Sequence, residues 1–425
     1  MSDADPRSKY RAPIGTHDVL PPESDRWTRA VATFADRAAR FGYGLVVMPV
    51  FEHVEVFQRV GESTDVVRKE MYELTDRGDR RLALRPEGTA PIVRAYVEHR
   101  PTPPWKVWYI APNFRYERPQ KGRYRQHWQL GAEVLGADDP EVDVEVIALA
   151  HGYYRDLGLE AVRLLVNSMG SPDDRRRYVD VLQRYLRGHA DRLGDEFRIR
   201  AEQHPLRLLD AKEEGWQDVI ERAPQLTEHL GDRAREHFES VQEGLEALGI
   251  SFELAPRLVR GFDYYTSTTF EFAADALDAA QNAIGGGGRY DQLAEEMGGP
   301  PTPGIGFGIG VERVLIACDA EATLQAGGPR LDAFVIDQLG DGSASVFLNA
   351  LRDSGLRADR AYGGRSFKAQ MKVADRAKAA YAVILGRAEA EHEKVAVRNL
   401  TTGEQLEVPG EQVAGWLRER REHER

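Results

Sequence analysis

At 425 residues with a formal net charge of −12, the chain is long enough for two or three domains with separate cores, and it is acidic as a whole. No apolar run approaches the roughly 20 residues that cross a bilayer, and the opening MSDADPRSKY has no hydrophobic signal core. A lone Cys318 excludes an internal disulfide and any multi-cysteine zinc site, and no histidine pair has zinc-binding helical spacing, so a cytoplasmic protein without a structural metal is predicted.

In chain order, Trp27, Val31, Phe34, Ala38 and Phe41 keep the i, i+4, i+7 spacing of an amphipathic helix over 23–40, which Gly42 stops. LVVMPVFEHVEVF reads as a strand interrupted by Pro49, a residue suited to a sheet edge or a break. WKVWYIAPNFRYE and RQHWQLGAEVLG read as two strands joined by a short basic loop; 141–157 is a helix and 160–167 a strand. From 172 to 250 the chain is charged, helical and poor in β-branched residues, as a helical insertion would be. Strand character returns in RLVRGFDYYTSTTFEF, a Gly/Pro-rich stretch covers 285–310, a helix begins near Val311, and EATLQAGGPRLD is a linker. Beyond it the strands LDAFVIDQL and YAVILG alternate with helices at 343–354 and in GRSFKAQMKVADRAKAA. The hairpin KVAVRNLTTGEQLEV then completes a compact α/β domain.

The charge is unevenly spread. Residues 330–425 carry a net of +1, so the remainder is strongly acidic. Yet Arg115, Arg118, Lys121, Arg123 and Arg125 face a single acid, Glu117, within one short stretch. An acidic protein still binds nucleic acid through such a cluster. The guanidinium fork matches phosphate oxygens, so the loop suits a polyphosphate or a nucleic-acid backbone; the alternative is a solvated basic loop. Strand parity then puts His127, Gln129, Gly131 and Glu133 on one face and Trp128, Leu130, Ala132 and Val134 on the other. The second face is apolar and packs on a core. The first has a glycine gap among polar groups, which suits a sheet floor under a small polar ligand; a plain amphipathic hairpin in water is the alternative.

Further stretches bear on ligand binding. In GIGFGIGVER, Gly304, Gly306, Gly308 and Gly310 alternate, so one strand face is bare and something flat can lie on it, unless this is only a flexible glycine loop. The spacing is neither the dinucleotide fingerprint nor a P-loop. In RGFDYYT, Tyr264 and Tyr265 point to opposite faces, so only one reaches a site and the other packs in the core. GGGGRYDQL again implies close backbone approach. In LRPEGTAP, Glu87 and Thr89 share a face if extended; a proline turn with a capping acid is the competing reading.

Together these stretches resemble the class II aminoacyl-tRNA synthetases, and among them the histidyl-tRNA synthetase family. FRYERPQKGRYRQHWQ resembles the second class-defining motif, PGIGFGIGVER the third, and the helix and strand around Pro49 the first, which forms a dimer interface. RGFDYYT and GGGRYD resemble the two peptides peculiar to the histidine enzymes, and the tail segment GRSFKAQMKVADRAKAAYAVILG echoes their signature. The resemblance implies an α+β fold: an antiparallel catalytic sheet flanked by helices, a helical insertion and a C-terminal α/β anticodon-binding domain, divided as 1–170, 171–251, 252–325 and 330–425. It implies ATP-dependent ligation of L-histidine to tRNA(His) through histidyl-adenylate, releasing AMP and diphosphate, in a homodimer, with Mg2+ only as the partner of ATP.

By the same resemblance, Arg115 holds the α-phosphate, Arg313 grips the γ-phosphate end, and Glu117, Arg123 and His127 complete the ATP site. Arg260 reaches between the histidine carboxylate and the α-phosphate. Glu87, Thr89 and Gln129 orient the α-amino group, Glu133 and Tyr265 take the imidazole nitrogens, and Tyr290 closes the pocket. Arg118, Gln120 and Arg125 meet the tRNA acceptor end. Three positions depart from the family pattern: His127 stands where a phenylalanine stacks on adenine, Arg387 replaces an acid, and Gln292 a glycine. The competing readings are a non-catalytic relative that regulates histidine biosynthesis, which lacks the anticodon domain and the arginine peptide, and a synthetase for another amino acid.

Overall fold

The computed structural model describes residues 10–61, 64, 66–209, 211, 213–258, 264–278, 282–325, 331–386 and 393–423. The chain divides into two units: residues up to Gln325 apart from 20–25, and residues 326–425 together with 20–25.

Helix α1 (Glu23–Arg40) buries Ala30, Phe34 and Ala38, the stripe marked by its apolar spacing, and the chain turns at Gly42, whose φ is +79°. Strand β1 (Gly44–Leu45) lies at the edge of the main sheet, and β2 (Phe51–His53) belongs to a separate one. The strand expected through Phe57 ends at His53. Residues beyond it form helix α2 (Val54–Gly61), because Val54 and Phe57, three apart, both face a buried cluster. Strands β3 (Tyr72–Thr75) and β4 (Arg81–Leu84) complete the small antiparallel sheet in the order β2-β4-β3, and helix α3 (Thr89–His99) packs Ile92 and Val93 into the same cluster.

The two long strands read around the basic loop are β5 (Trp105–Phe114) and β6 (Gln126–Leu135), paired antiparallel along their whole length. Helix α4 (Pro140–Asp156) and strand β7 (Val162–Ser168) follow. Then come helices α5 (Pro172–Leu193), α6 (Asp195–Gln203), α7 (Pro205–Leu208), α8 (Gln217–Glu221) and α9 (Asp232–Ala247). Helix α5 starts at a capping box. The Ser171 hydroxyl accepts the Asp174 N–H at 3.2 Å and the Asp174 carboxylate accepts the Ser171 N–H at 2.9 Å. The other carboxylate oxygen accepts the Gly231 N–H at 2.9 Å, which ties the start of α5 to the start of α9. Tyr178, Leu182, Phe197 and Trp216 give α5–α8 a core of their own, whereas Phe238, Val241 and Leu245 of α9 join the core of the main sheet.

The chain returns through β8 (Glu253–Leu254), β9 (Thr266–Ala274), β10 (Ala283–Arg289), the short helix α10 (Leu293–Glu296), β11 (Gly304–Gly310) and helix α11 (Val311–Ala320). The main sheet has eight strands in the order β1-β5-β6-β11-β10-β9-β7-β8. Every pair is antiparallel except the two edge pairs, β1 with β5 and β7 with β8. Alternation along β5 shows how the sheet is used. Trp108 packs under it with Phe34, Tyr153 and Phe307, while Val107, Tyr109 and Ala111 point to the other side, toward α2 and α3.

The second unit builds a five-stranded sheet from β12 (Ala333–Asp337), helix α12 (Ser343–Asp353), β13 (Ala358–Arg360), helix α13 (Phe367–Arg376), β14 (Tyr381–Leu385), β15 (Lys394–Asn399) and β16 (Gln405–Pro409), with helix α14 (Val413–His423) last. The order is β13-β12-β14-β15-β16, with β12 parallel to both neighbours and the rest antiparallel. All of YAVIL in β14 is buried, as expected of a strand covered on both faces.

Candidate active site

The polar face of β6 forms the floor of a cavity of about 510 Å3. In the antiparallel register, Gln129, Gly131, Glu133 and Leu135 lie opposite Gly310, Gly308, Gly306 and Gly304 of β11. This explains the alternating glycines differently from the bare surface expected of them. A Cβ on Gly306 would lie 1.6 Å from the Glu133 carboxylate, one on Gly308 1.7 Å from Gln129 Nε2, and one on Gly304 2.3 Å from the Tyr290 ring. The glycine lane is filled by these side chains, and only Gly310, whose nearest neighbour is 3.9 Å away, stays open. The gap at Gly131 is filled too. Tyr109, its partner on β5, would meet a Cβ there at 2.3 Å and one on Gly88 at 2.5 Å. Glycine weakens a strand for want of a side chain to pack, yet here the neighbouring strands supply the missing atoms.

Around Glu133 the polar groups satisfy one another. The wholly buried carboxylate accepts from the Thr89 hydroxyl at 2.8 Å and from the Tyr290 hydroxyl at 2.5 Å. Burial pushes its pKa up to about 8 despite those bonds. Glu87 turns both oxygens on the start of α3, accepting the Thr89 N–H at 2.6 Å and the Ala90 N–H at 2.8 Å. The capping reading of LRPEGTAP therefore holds, and Glu87 and Thr89 still line the cavity. Burial raises the Glu87 carboxyl above its ordinary range, while those N–H groups and Arg115 pull the other way. Tyr264 is buried edge-on against Tyr290, and Tyr265 sits 4.6 Å from the Tyr264 ring; both reach the cavity wall. Tyr290 is buried below, its hydroxyl spent on Glu133. Its neighbour Arg289 points away and pairs with the buried Asp143 at 2.7 Å.

The other end is cationic. Arg115 donates to the Pro86 carbonyl at 2.8 Å, and Arg313 to the Gly122 and Ala283 carbonyls at 3.2 and 2.6 Å. Glu117 stands between Arg115 at 4.0 Å and Arg123 at 3.7 Å. Burial, with Arg115 and Arg313 nearby, drives the His127 imidazole down to about 3, so it is neutral at physiological pH. Glu312 accepts the Trp128 N–H with both oxygens, at 2.9 and 3.1 Å, and burial lifts it to about 7.

Segments far apart in sequence thus bring Glu87, Thr89, Arg115, Glu117, Arg123, His127, Gln129, Tyr265 and Arg313 to one cavity, with Glu133 and Tyr290 beneath. Arg260 and Arg387 lie outside the described residues. In the basic loop, Arg118 and Gln120 are exposed at a tip closed by reciprocal backbone bonds between Gln120 and Arg123, of 3.0 and 2.9 Å. Arg125 instead turns back, its guanidinium 3.9 Å over the Tyr116 ring and its N–H donating to the Gly15 carbonyl at 2.8 Å. Sequence reasoning missed Tyr109 and Asn113, which are hidden by the strand register, and Glu271, which faces the cavity opposite Gly286. Among the described residues no group of His, Cys, Asp and Glu could hold a metal, and no helix is long and apolar enough to cross a membrane.

Residues 15–314 match the histidyl-tRNA synthetase family, and residues 340–420 match an anticodon binding domain. The histidine--tRNA ligase of Rhodococcus erythropolis is 48% identical over 98% of this chain and 99% of its own. That of Geobacillus kaustophilus is 44% identical over 97% and 98%. The crystal structure of apo S. aureus histidyl-tRNA synthetase superposes with a TM-score of 0.81 at 34% identity, covering 96% of this chain and 99% of that one.

Proposed function

The chain belongs to the histidyl-tRNA synthetase family, and from this we propose that its cavity ligates L-histidine to tRNA(His) at the expense of ATP. The histidine carboxylate attacks the α-phosphorus and diphosphate leaves. A hydroxyl of the terminal adenosine then attacks the histidyl carbonyl of the adenylate, and AMP leaves. The observation that carries this reading is one cavity with arginines at one end and, beneath the other, a buried carboxylate held by two hydroxyls.

In this reading Arg115 holds the α-phosphate, Arg313 and Arg123 the outer phosphates, and His127 stacks on adenine as a neutral ring. Glu117, between Arg115 and Arg123, keeps those two guanidiniums apart and aligned. Mg2+ arrives with ATP as its counter-ion, where Glu271 adds a carboxylate to the wall. Arg260 stabilises the charge that gathers as two anions approach, an effect larger in the transition state than in the ground state. Glu87, Thr89 and Gln129 surround the α-amino group. Glu133 and Tyr265 pair with the imidazole nitrogens, and Tyr290 holds Glu133 in place. An amino acid without those nitrogens leaves buried polar groups unpaired, which penalises it heavily.

Arg118 and Gln120 meet the acceptor end of the tRNA, with Arg125 bracing the loop behind them, and the 330–425 domain binds the anticodon. The catalytic core is 1–170 with 252–325, and 171–251 is the insertion. The enzyme is a cytoplasmic homodimer. Supporting this, the segment from β1 to β2 exposes the large apolar side chains Leu45, Val47, Val50 and Phe51, with Val47 85% exposed. Amino-acid-dependent exchange of pyrophosphate into ATP tests the function. Exchange with histidine alone supports it, exchange with no amino acid points to a non-catalytic relative, and exchange with another amino acid overturns the pocket assignment.

A further inference from the structure

The Gln129 side chain carries an acceptor oxygen at one end of its amide and a donor NH2 at the other, nearly equal in shape. An α-ammonium needs the oxygen; the NH2 in its place repels it. In the sheet register Gln129 lies opposite Ala111, whose small methyl leaves the amide room, and Tyr109 and Asn113 flank it diagonally on the same face of β5. Both are wholly buried, and neither lines the cavity. Asn113 Nδ2 donates to Gln129 Oε1 at 2.6 Å, and Gln129 Nε2 donates to the Tyr109 hydroxyl at 3.3 Å. The Tyr109 hydroxyl reaches that position only because two glycines make way: a Cβ on Gly88 or Gly131 would lie 2.5 or 2.4 Å from its oxygen. Gly308 makes way for Nε2 itself, at 1.7 Å.

We propose that Tyr109 and Asn113 are positioning residues that lock the Gln129 amide with its oxygen toward the nucleotide end of the cavity. That is the side of Asn113, which stands opposite His127. The backbone atoms of histidine have to lie there for its carboxylate to reach the α-phosphate. A further observation separates this role from packing. Asn113 Oδ1 is buried and has no hydrogen-bond partner among the described residues. A leucine would fill the same volume without that penalty, so it is the Nδ2 donor that justifies an amide here. The proposal rests on Gln129 serving the α-amino group.

The test uses histidine-dependent pyrophosphate exchange by the full chain and its Asn113→Ala, Tyr109→Phe and Gln129→Ala variants. It adds inhibition by 3-(imidazol-4-yl)propionate, which is histidine without its amino group. The first two variants should raise KM for histidine about tenfold, the weight of one hydrogen bond. They should leave KM for ATP and inhibition by the deamino analogue unchanged. Asn113→Ala should add nothing in a Gln129→Ala background. Parallel weakening of histidine and the analogue, or a fall in kcat alone, means a merely structural role and overturns the proposal. If Gln129→Ala raises KM while the other two do not, the clamp is wrong and the site reading stands. If Gln129→Ala leaves KM unchanged, both fall. Tyr109→Phe, which keeps the ring, decides the matter should Asn113→Ala fail to fold.

Discussion

The two ends of the cavity follow opposite electrostatic plans. At the nucleotide end, Arg115 and Arg313 are held largely by backbone carbonyls of Pro86, Gly122 and Ala283. A carbonyl fixes a guanidinium without cancelling its charge, so the field is left for a polyanion. Burial first, and that field second, keep His127 neutral. At the amino-acid end, no ion pair to Glu133 occurs among the described residues, and the Thr89 and Tyr290 hydroxyls hold it. Burial there favours the protonated form. The difference separates two tasks: exposed charge supplies attraction and transition-state stabilisation, while buried pairing supplies selectivity, since a wrong ligand leaves partners unmet.

The strongest way to break the contrast is Arg115→Ala. Removing a fixed cation from the phosphate site should slow histidine-dependent exchange about 10^2- to 10^3-fold. Near-normal exchange by a folded variant would remove the charge clamp. Next comes a pair on the glycine lane. Gly306→Ala drives a methyl into the Glu133 carboxylate, which sits 1.6 Å from its ideal Cβ, whereas Gly310→Ala meets nothing closer than 3.9 Å. The first should cost ~1–3 kcal/mol of stability and at least about tenfold in kcat/KM for histidine; the second should change little. Equal effects in denaturation and exchange assays would mean the lane is not filled as described.

Smaller still is His127→Phe. A phenyl ring stacks on a base more strongly than a neutral imidazole, so KM for ATP should fall about two- to fivefold. Because the imidazole pKa lies near 3, protonation of His127 should impose no pH dependence on ATP binding in the wild type near neutrality. A step in KM near the ordinary histidine pKa, lost in the variant, would contradict that. The slightest expected change is in stability against pH. Glu133 has a folded pKa raised from 4.5 to about 8. Its contribution to stability is fully present below the unfolded value and is lost as pH rises through the folded one. Between mildly acidic and alkaline pH, the melting temperature of the wild type should therefore drop relative to Glu133→Gln by ~2–4 °C. A constant difference across that range would show that Glu133 stays charged throughout.

Much of the site was legible because strand parity is rigid. Once RQHWQLGAEVLG is a strand, His127, Gln129 and Glu133 must share a face, and Leu130, Ala132 and Val134 must face the core, as they do. The glycines of GIGFGIG were visible, but what fills the space above them was not, because that depends on which residue of another strand stands opposite. Tyr109 and Asn113 stayed hidden for the same reason: their role appears only when β5 is placed two residues either side of Ala111 against Gln129. Helix α2 reads as strand because Val54 and Val56 alternate around Glu55, whereas Val54 and Phe57 keep helical spacing, and burial of that second pair against α3 chooses the helix.

By itself, the sequence determined the residue types, the alternation of each strand, the clustered arginines and the peptides that mark the family, since these are local patterns along one chain. Only the tertiary structure decided which glycine faces which side chain, why burial between two hydroxyls raises the Glu133 pKa, and how the Gln129 amide is turned. Those follow from register and burial, and both arise between segments that the sequence keeps far apart.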